Sequence, residues 1–365
     1  MAQGLSIPSL VARRFLLRAT GLAGLFSSID VALAHLGFVQ IDPINVCGRM
    51  QDHILRHRVV GYREHDLMSH LHRIGERTAF EHHLPDSQNL AALPLEAWPH
   101  LQRAMHARAQ GDSVWSGQLT GEEKRFAKSL LGRIAEEGSL CSQDFLSERK
   151  AKQHAWDSTT LAKSTLQKLF FHGRVLIAKR EANRRYYDLP EKVLPASTLA
   201  SPTPTEAQTQ HWLAQLKLRQ RRLAVLKATE LRLLHDEVVP ATLADRASPK
   251  LHVLRSDLPL LETSDASETA LLIAPLDPII YDRRVTEAVW NYDYRWEVYV
   301  PPQKRVRGYY ALPLLNRDAF IGHMDCKADR DSGHLRLLTQ LESTTGVHRI
   351  ALKSLAEFLG LESLL

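Results

Sequence analysis

The stretch STTLAKSTLQKLFFHGRVLIAKREANRRYYDL, residues 158–189, carries the reading of this fold. Leu161, Leu166, Leu169 and Phe170 recur at a spacing that puts apolar side chains on one face of a helix, so Ser158 to His172 is predicted helical. Gly173 ends that helix. Arg174 to Lys179 and Arg184 to Leu189 follow as strands joined by a turn near Glu181-Ala-Asn183, the pattern of a β-hairpin. Upstream, Thr120-Gly-Glu-Glu123 is a capping box ahead of Phe126, Leu130, Leu131 and Ile134, and Gly138 closes the helix. A short helix is expected at Ser142 to Leu146. Three helices and then a two-stranded wing is the order of a winged helix, a variant of helix-turn-helix. The wing carries Arg174, Lys179, Arg180, Arg184 and Arg185 with Tyr186 and Tyr187, a mix suited to phosphate contact and stacking. A structural hairpin with solvated cations would look the same.

On either side the pattern changes. Val11 to Leu17 and Ile29 to Leu36 read as helices, with Ser28 as N-cap and Gly37 as C-terminal stop of the second. Leu194 to Pro204 reads as a Pro/Ser/Thr/Ala-rich linker. Thr203-Pro204-Thr205-Glu206 is expected to cap a basic helical region running to about Asp236. Asp257 to Thr269 reads as a loop. Beyond it, Ala270 to Pro275, Trp296 to Val300, Gly308 to Pro313 and Ala319 to Asp325 read as short strands, followed by a helix from Val347 to Leu359. These suggest a β-rich C-terminal domain, a partial barrel. No repeat of solenoid or propeller period is present.

Composition narrows the function classes. The chain of 365 residues is 44% hydrophobic and 24% charged, an ordinary globular balance with room for several small cores. No long uncharged apolar run and no signal-type h-region stand out, so neither a membrane span nor export is expected. Cys47, Cys141 and Cys326 are scattered, which argues against a disulfide framework or a zinc finger and for a reducing, cytoplasmic setting. Net charge is +6. Residues 160–235 hold fourteen Lys/Arg against five Asp/Glu, so the surplus is concentrated there and the rest of the chain is net negative. Nucleic acid is permitted as a partner, not required.

One short segment carries candidate chemistry. In Phe38-Val-Gln-Ile-Asp-Pro43 the strand alternation puts Phe38, Gln40 and Asp42 on one face. Gln40 and Asp42 would then stand about 6.5 Å apart along the backbone. A carboxylate beside a carboxamide can hold a water, the first accepting its proton or facing positive charge and the second fixing its orientation. Taken alone, an Asp before Pro is more simply a turn starter. His53 and His57, and His70 and His72, have spacings a metal site could use, but no further ligand accompanies them. Asp277-Pro278 and Asp282-Arg283-Arg284 read as a turn with solvated charges. Nucleotide-binding glycine loops and the G-x-S-x-G elbow are missing from the sequence.

From Phe38 to Asn45 the sequence resembles the winged-helix crosslink-repair DNA glycosylases of the YcaQ/AlkZ type, in the branch with a Gln-x-Asp motif. The resemblance continues through Arg49, Arg58 and Tyr62, returns at Leu169 to Val175 and at Tyr187-Asp-Leu189, and is strongest at Ala274 to Arg283, Lys304 to Leu315 and Gly322 to Lys327. It implies an α+β fold of tandem winged-helix motifs forming a C-shaped DNA clamp, with the partial barrel at the C-terminus. The expected modules are 1–119 with the Gln-x-Asp motif, 120–195 with the basic wing, 203–265, and the β-rich domain 270–365. It implies catalytic roles for Gln40 and Asp42, with Asn45 and His82 beside the lesion. Around His82, however, Phe80-Glu-His-His-Leu84 departs from the family's Trp-x-His-x-Ala. Arg49, Arg58, Arg174, Lys179, Arg184, Arg185, Lys304 and Arg305 are the expected DNA contacts. The implied activity is monofunctional and needs no metal or cofactor. It releases N7-alkylated guanine and unhooks interstrand crosslinks. The expected partner is double-stranded DNA bearing such purines, bound by a monomer in the cytoplasm at the nucleoid. Two rivals remain at this point: a non-catalytic winged-helix DNA-binding regulator and a metal-dependent nuclease.

Overall fold

The computed structural model describes residues 4–111, 117–145, 155–182, 184–262, 270–339 and 346–364. The chain divides into two compact units, Met1–Asp66 with Gln210–Leu365, and Leu67–Thr209.

The Leu67–Thr209 unit opens with an antiparallel hairpin, Ala79–His83 against Leu90–Pro94, followed by the helix Trp98–Gln110. The capping box expected at Thr120 is present. The Glu123 N–H donates to the Thr120 hydroxyl at 3.2 Å, and the Thr120 N–H donates to the Glu123 carboxylate at 2.7 Å, starting the helix Gly121–Glu137. The same carboxylate takes Lys168 Nζ at 2.7 Å, which ties this helix to the helix Ala155–Phe171. Between them residues 142–145 form a turn where a short helix was predicted. The Cys141 N–H donates to the Asp144 carboxylate at 2.8 Å, a local bond that competes with helix formation. The expected end of that helix, Leu146, lies outside the described residues. Gly173, at φ +68°, ends the second helix in the left-handed region, where a side chain is disfavoured. The hairpin Leu176–Glu181 with Arg184–Asp188 follows as predicted, with a bulge at Ile177/Lys179. Leu130, Ile134, Leu166, Leu169, Phe170 and Ile177 are buried in this unit.

Composition misled the reading of the linker. It contains the single-turn helix Ala196–Leu199, a second such helix, Pro190–Val193, directly precedes it, and buried Val193 and Leu194 pin the junction. The next helix is Glu206–Arg221, and its reciprocal cap is formed by Thr205 and Gln208. The expected cap, Thr203, bonds instead to the Gln102 side chain.

In the other unit the helices Ser9–Ala19 and Ile29–Leu36 form as expected. The Ser28 hydroxyl accepts from the Val31 N–H at 3.3 Å, and Gly37 closes the second helix. A four-stranded sheet has the order Leu5–Ile7, Val238–Leu243, Leu251–Leu254, Leu223–Ala224. Its first pair is parallel, so residues more than 230 positions apart in sequence share a ladder. The described part of the expected loop, Asp257 to Glu262, lies in the 3-10 helix Arg255–Glu262, and Asp257 is buried against Arg222.

A five-stranded sheet lies C-terminal, in the order Ala270–Leu272, Ala311–Asn316, Ala319–Asp329, His334–Leu337, Glu362–Leu364. It curls into the half-barrel that the strand pattern suggested. Trp296 to Val300, predicted as a strand, is irregular. The Glu297 carboxylate accepts the backbone N–H groups of Val306, Arg307 and Gly308, and those bonds fold the segment back on itself. The helix Gly346–Leu359 forms as expected, and it packs on the sheet. Phe15, Leu16 and Leu17 of the first helix join Ile273, Val289, Trp290 and Leu315 in one core. The N-terminus is thereby built into the C-terminal region.

Candidate active site

The Gln-x-Asp segment lies at the end of a two-residue strand, Val39–Gln40. Val39 and Ile41 are buried and Gln40 and Asp42 half-buried, but Phe38, expected on the face of Gln40 and Asp42, is buried too, and the strand ends at Gln40. Asp42 also does what an Asp before Pro does. Its Oδ1 accepts the Ile44 N–H at 2.8 Å and closes a turn. The Asp42 N–H donates to Oε1 of Gln51 at 3.2 Å, and Gln51 is fully buried on the helix Met50–Arg56. The residue is therefore held twice, its carboxylate by the Ile44 N–H and its own backbone N–H by Gln51. Burial is the largest influence on its acidity and raises its pKa above the ordinary value. The Ile44 hydrogen bond and the charge of Arg49 pull the other way.

The next turn brings Asn45 and Arg49 together. They form a backbone bridge, and the exposed Asn45 accepts the Gly48 N–H at 3.2 Å. Gly48 sits at φ +105°, and an added Cβ would stand 3.0 Å from His53 Nε2. Beneath this turn Gln51, Asp52 and His53 are all buried. Asp52 accepts the Tyr62 hydroxyl at 2.6 Å and the His65 N–H at 3.2 Å. Burial holds His53 down at a pKa of about 3, so it is neutral at physiological pH. The Tyr310 hydroxyl and Gln51 Nε2 are also buried, and among the described residues neither has a hydrogen-bond partner. Buried polar atoms are normally paired, so idle ones in the layer next to Asp42 mark it as chemically unusual. Sequence reasoning missed Gln51 and Tyr310 because no local motif contains them.

Several expected DNA contacts fall elsewhere. Arg58 is wholly buried. Its guanidinium makes a two-bond pair with Asp277, 2.7 and 2.8 Å, and donates to the carbonyls of Thr20 and Ile54. A guanidinium with no exposure and these partners is unavailable to a phosphate, so Arg58 is a structural residue. Asp277 is likewise not part of a solvated turn, while Asp282 caps the helix Arg283–Trp290. Lys304 is exposed on the loop that Glu297 folds, and half-buried Arg305 donates to the Val300 carbonyl and lies over the Tyr309 ring.

In the Leu67–Thr209 unit His82 is fully buried, with Nε2 2.8 Å from the Phe170 carbonyl oxygen. Burial holds its pKa at about 3. It is a core histidine of that unit. Arg174 is exposed, Lys179 pairs with Glu181 at 2.8 Å, Arg180 is tied to buried Glu81, and Arg184 is exposed with Arg185 half-buried. Among the described residues the histidine pairs gather no metal-ligand set. His57 bonds to the Leu272 carbonyl and His72 to Glu81 at 2.7 Å. Asp52, Glu64 and His65 do come within ligand reach of one another, but Glu64 is engaged by Arg330.

The family pattern of the AlkZ-like DNA glycosylases matches residues 33–359, nearly the whole chain and all of the segment just described. The chain belongs to the AlkZ-like DNA glycosylase family. It is accordingly a DNA glycosylase, and the resemblance read from the motifs is borne out. Among solved structures the enzyme is similar to the Streptomyces sahachiroi DNA glycosylase AlkZ, at a TM-score of 0.65 and 14% identity over 99% of each chain. At that identity the likeness establishes the fold. Among the described residues, no helix is long and apolar enough to cross a membrane.

Proposed function

We propose that this glycosylase hydrolyses the N-glycosidic bond of N7-alkylated guanine and unhooks interstrand crosslinks through Gln40 and Asp42. The observation that carries the reading is the braced, half-buried Asp42 carboxylate at the edge of a buried polar layer, with half-buried Gln40 two residues before it. An N7-alkylated guanine already carries a positive charge and departs without a strong general acid. What remains is to stabilise an oxocarbenium-like sugar and deliver water, as glycosidase carboxylates do. Asp42 supplies the negative charge and accepts the proton of water. Gln40 orients that water.

The helix–turn–helix–hairpin of residues 120–195 and the helix-and-strand region 203–265 fit the winged-helix modules of a monomeric DNA clamp. Residues 1–119 then carry the motif and 270–365 the half-barrel. Duplex DNA at the nucleoid is the partner, with Arg49, Arg174, Arg184, Arg185, Lys304 and Arg305 as phosphate contacts and Asn45 near the lesion, while Lys179 already faces Glu181.

The test is base release from a duplex carrying N7-methylguanine, with EDTA present. Wild type releases free base, and Asp42→Asn slows single-turnover release by about 10²–10⁴-fold while binding DNA as before. Undiminished release by the variant removes Asp42 from the mechanism.

A further inference from the structure

The Leu67–Thr209 unit contains an open cavity of about 710 Å³ between the helix Ala155–Phe171, the turn at 142–145 and the strand Arg184–Asp188. That is within the size range of small-molecule sites. Lys163 and Gln167, one helical turn apart, form one wall. Arg184, Arg185 and Tyr187 line it from the strand, with Leu166 and most of Tyr187 buried. On the strand, Arg185 and Tyr187 share a face, since side chains two apart point the same way. Arg185 therefore follows Tyr187 toward the helices.

The electrostatics distinguish this cavity from an ordinary basic surface. The neighbouring cations Lys179 and Arg180 are neutralised by Glu181 and Glu81. Among the described residues none of the cavity lining is acidic, and neither Lys163, Arg184 nor Arg185 takes part in an ion pair. Arg184 donates to the Tyr186 hydroxyl and feels the charge of Glu181, but Lys163 and Arg185 stand as like charges on one concavity, and an anion placed between them relieves their repulsion. Beside them lie the Gln167 amide and the small uncovered part of Tyr187.

We propose that this cavity is a nucleotide subsite. It takes one phosphate-bearing nucleotide, with the base against Leu166 and Tyr187 and the phosphate held by Lys163, Arg184 and Arg185. The expectation that the nucleotide belongs to a DNA strand rests on the glycosylase reading; a free nucleotide has the same chemistry.

The experiment uses the full chain and three probes: inorganic phosphate, dAMP, and an undamaged duplex. Phosphorus NMR line broadening reports the two small anions, and the salt dependence of duplex affinity reports phosphate contacts. Wild type broadens dAMP more than phosphate, and Lys163→Ala with Arg185→Ala abolishes the broadening. If the source is a DNA strand, the same variant lowers the salt slope by about 1.8, at roughly 0.9 for each lost contact. If the source is a free nucleotide, the slope stays at the wild-type value while dAMP binding is lost. Lys163→Glu, an exposed helical position, repeats the test without touching the half-buried arginine. A variant indistinguishable from wild type with all probes overturns the proposal, and equal broadening of phosphate and dAMP overturns the base-binding half. Loss of dAMP binding in a protein whose wild type releases no N7-methylguanine sinks the reading of Asp42 and leaves the subsite standing.

Discussion

Replacing Asp277 with Ala strands the guanidinium of Arg58. Both side chains have no exposure, and two charge-assisted bonds of 2.7 and 2.8 Å join them. In the variant Arg58 keeps its bonds to the Thr20 and Ile54 carbonyls but loses its counter-charge. Removing one partner of a buried pair costs about 3–5 kcal/mol. Against a total stability of about 5–15 kcal/mol, that is a large fraction. Arg58→Met leaves the opposite orphan, a buried carboxylate whose remaining support is the Ile279 N–H at 3.2 Å, and costs a similar amount. Combining Arg58→Met with Asp277→Leu recovers much of the loss, because apolar replacement of a whole buried pair is often close to neutral. Urea denaturation followed by circular dichroism measures all four proteins, and salt titration of duplex affinity separates stability from binding. The buried-pair account predicts low urea midpoints for both single variants and an unchanged salt slope for Arg58→Met. A fully stable Arg58→Met protein whose slope has fallen by about 0.9 would refute it and return Arg58 to the DNA contacts.

The buried histidines predict acid sensitivity above the carboxylate range. His82 and His53 are held at about 3 and His83 at about 4. The unfolded chain takes up these protons first, so their contribution is complete above about 6.5 and is lost as pH falls from there toward those values. Each costs about 1.4 kcal/mol per pH unit in that window, and a urea midpoint that stays flat from pH 7 to 5 contradicts this. For Asp42 the sign reverses. Burial raises its pKa, so its charge opposes folding above that pKa, and Asp42→Asn, which can keep the turn bond to Ile44, melts no lower than wild type at pH 7. Wild-type excision falls on acidification with a midpoint above the ordinary carboxylate value, and an acid limb at or below that value argues against Asp42 as the titrating group. Gly308→Ala both forces a side chain onto a φ of +121° and drives its Cβ into the Asp325 carboxylate, which accepts the Tyr309 and Tyr310 N–H groups. The variant is expected to lose at least about 1 kcal/mol by urea titration.

The helix signals were the most legible. Ser28, Thr120, Gly37 and Gly138 act through bonds to residues only a few positions away, so a single sequence displays them. Where two local solutions compete, tertiary contacts chose. Thr203 and Thr205 are equally plausible caps, and the bond from Thr203 to Gln102 leaves the role to Thr205. Lys304 and Arg58 look alike as basic residues in a resembling segment, but one is exposed and the other is buried against a residue 219 positions away.

The sequence by itself determined the capped helices, the basic hairpin, the β-rich C-terminal region and the family. Each depends on short-range periodicity, on local hydrogen bonds, or on several motifs in a fixed order. Only the tertiary structure decided that Leu5–Ile7 completes a sheet with Val238–Leu243, that Gln51 braces Asp42 above a buried layer containing Tyr310, and which cations remain unspent. Burial and ion pairing depend on which distant segments meet. A charged residue carries no mark in the sequence of whether its partner will be water, a carboxylate or a phosphate.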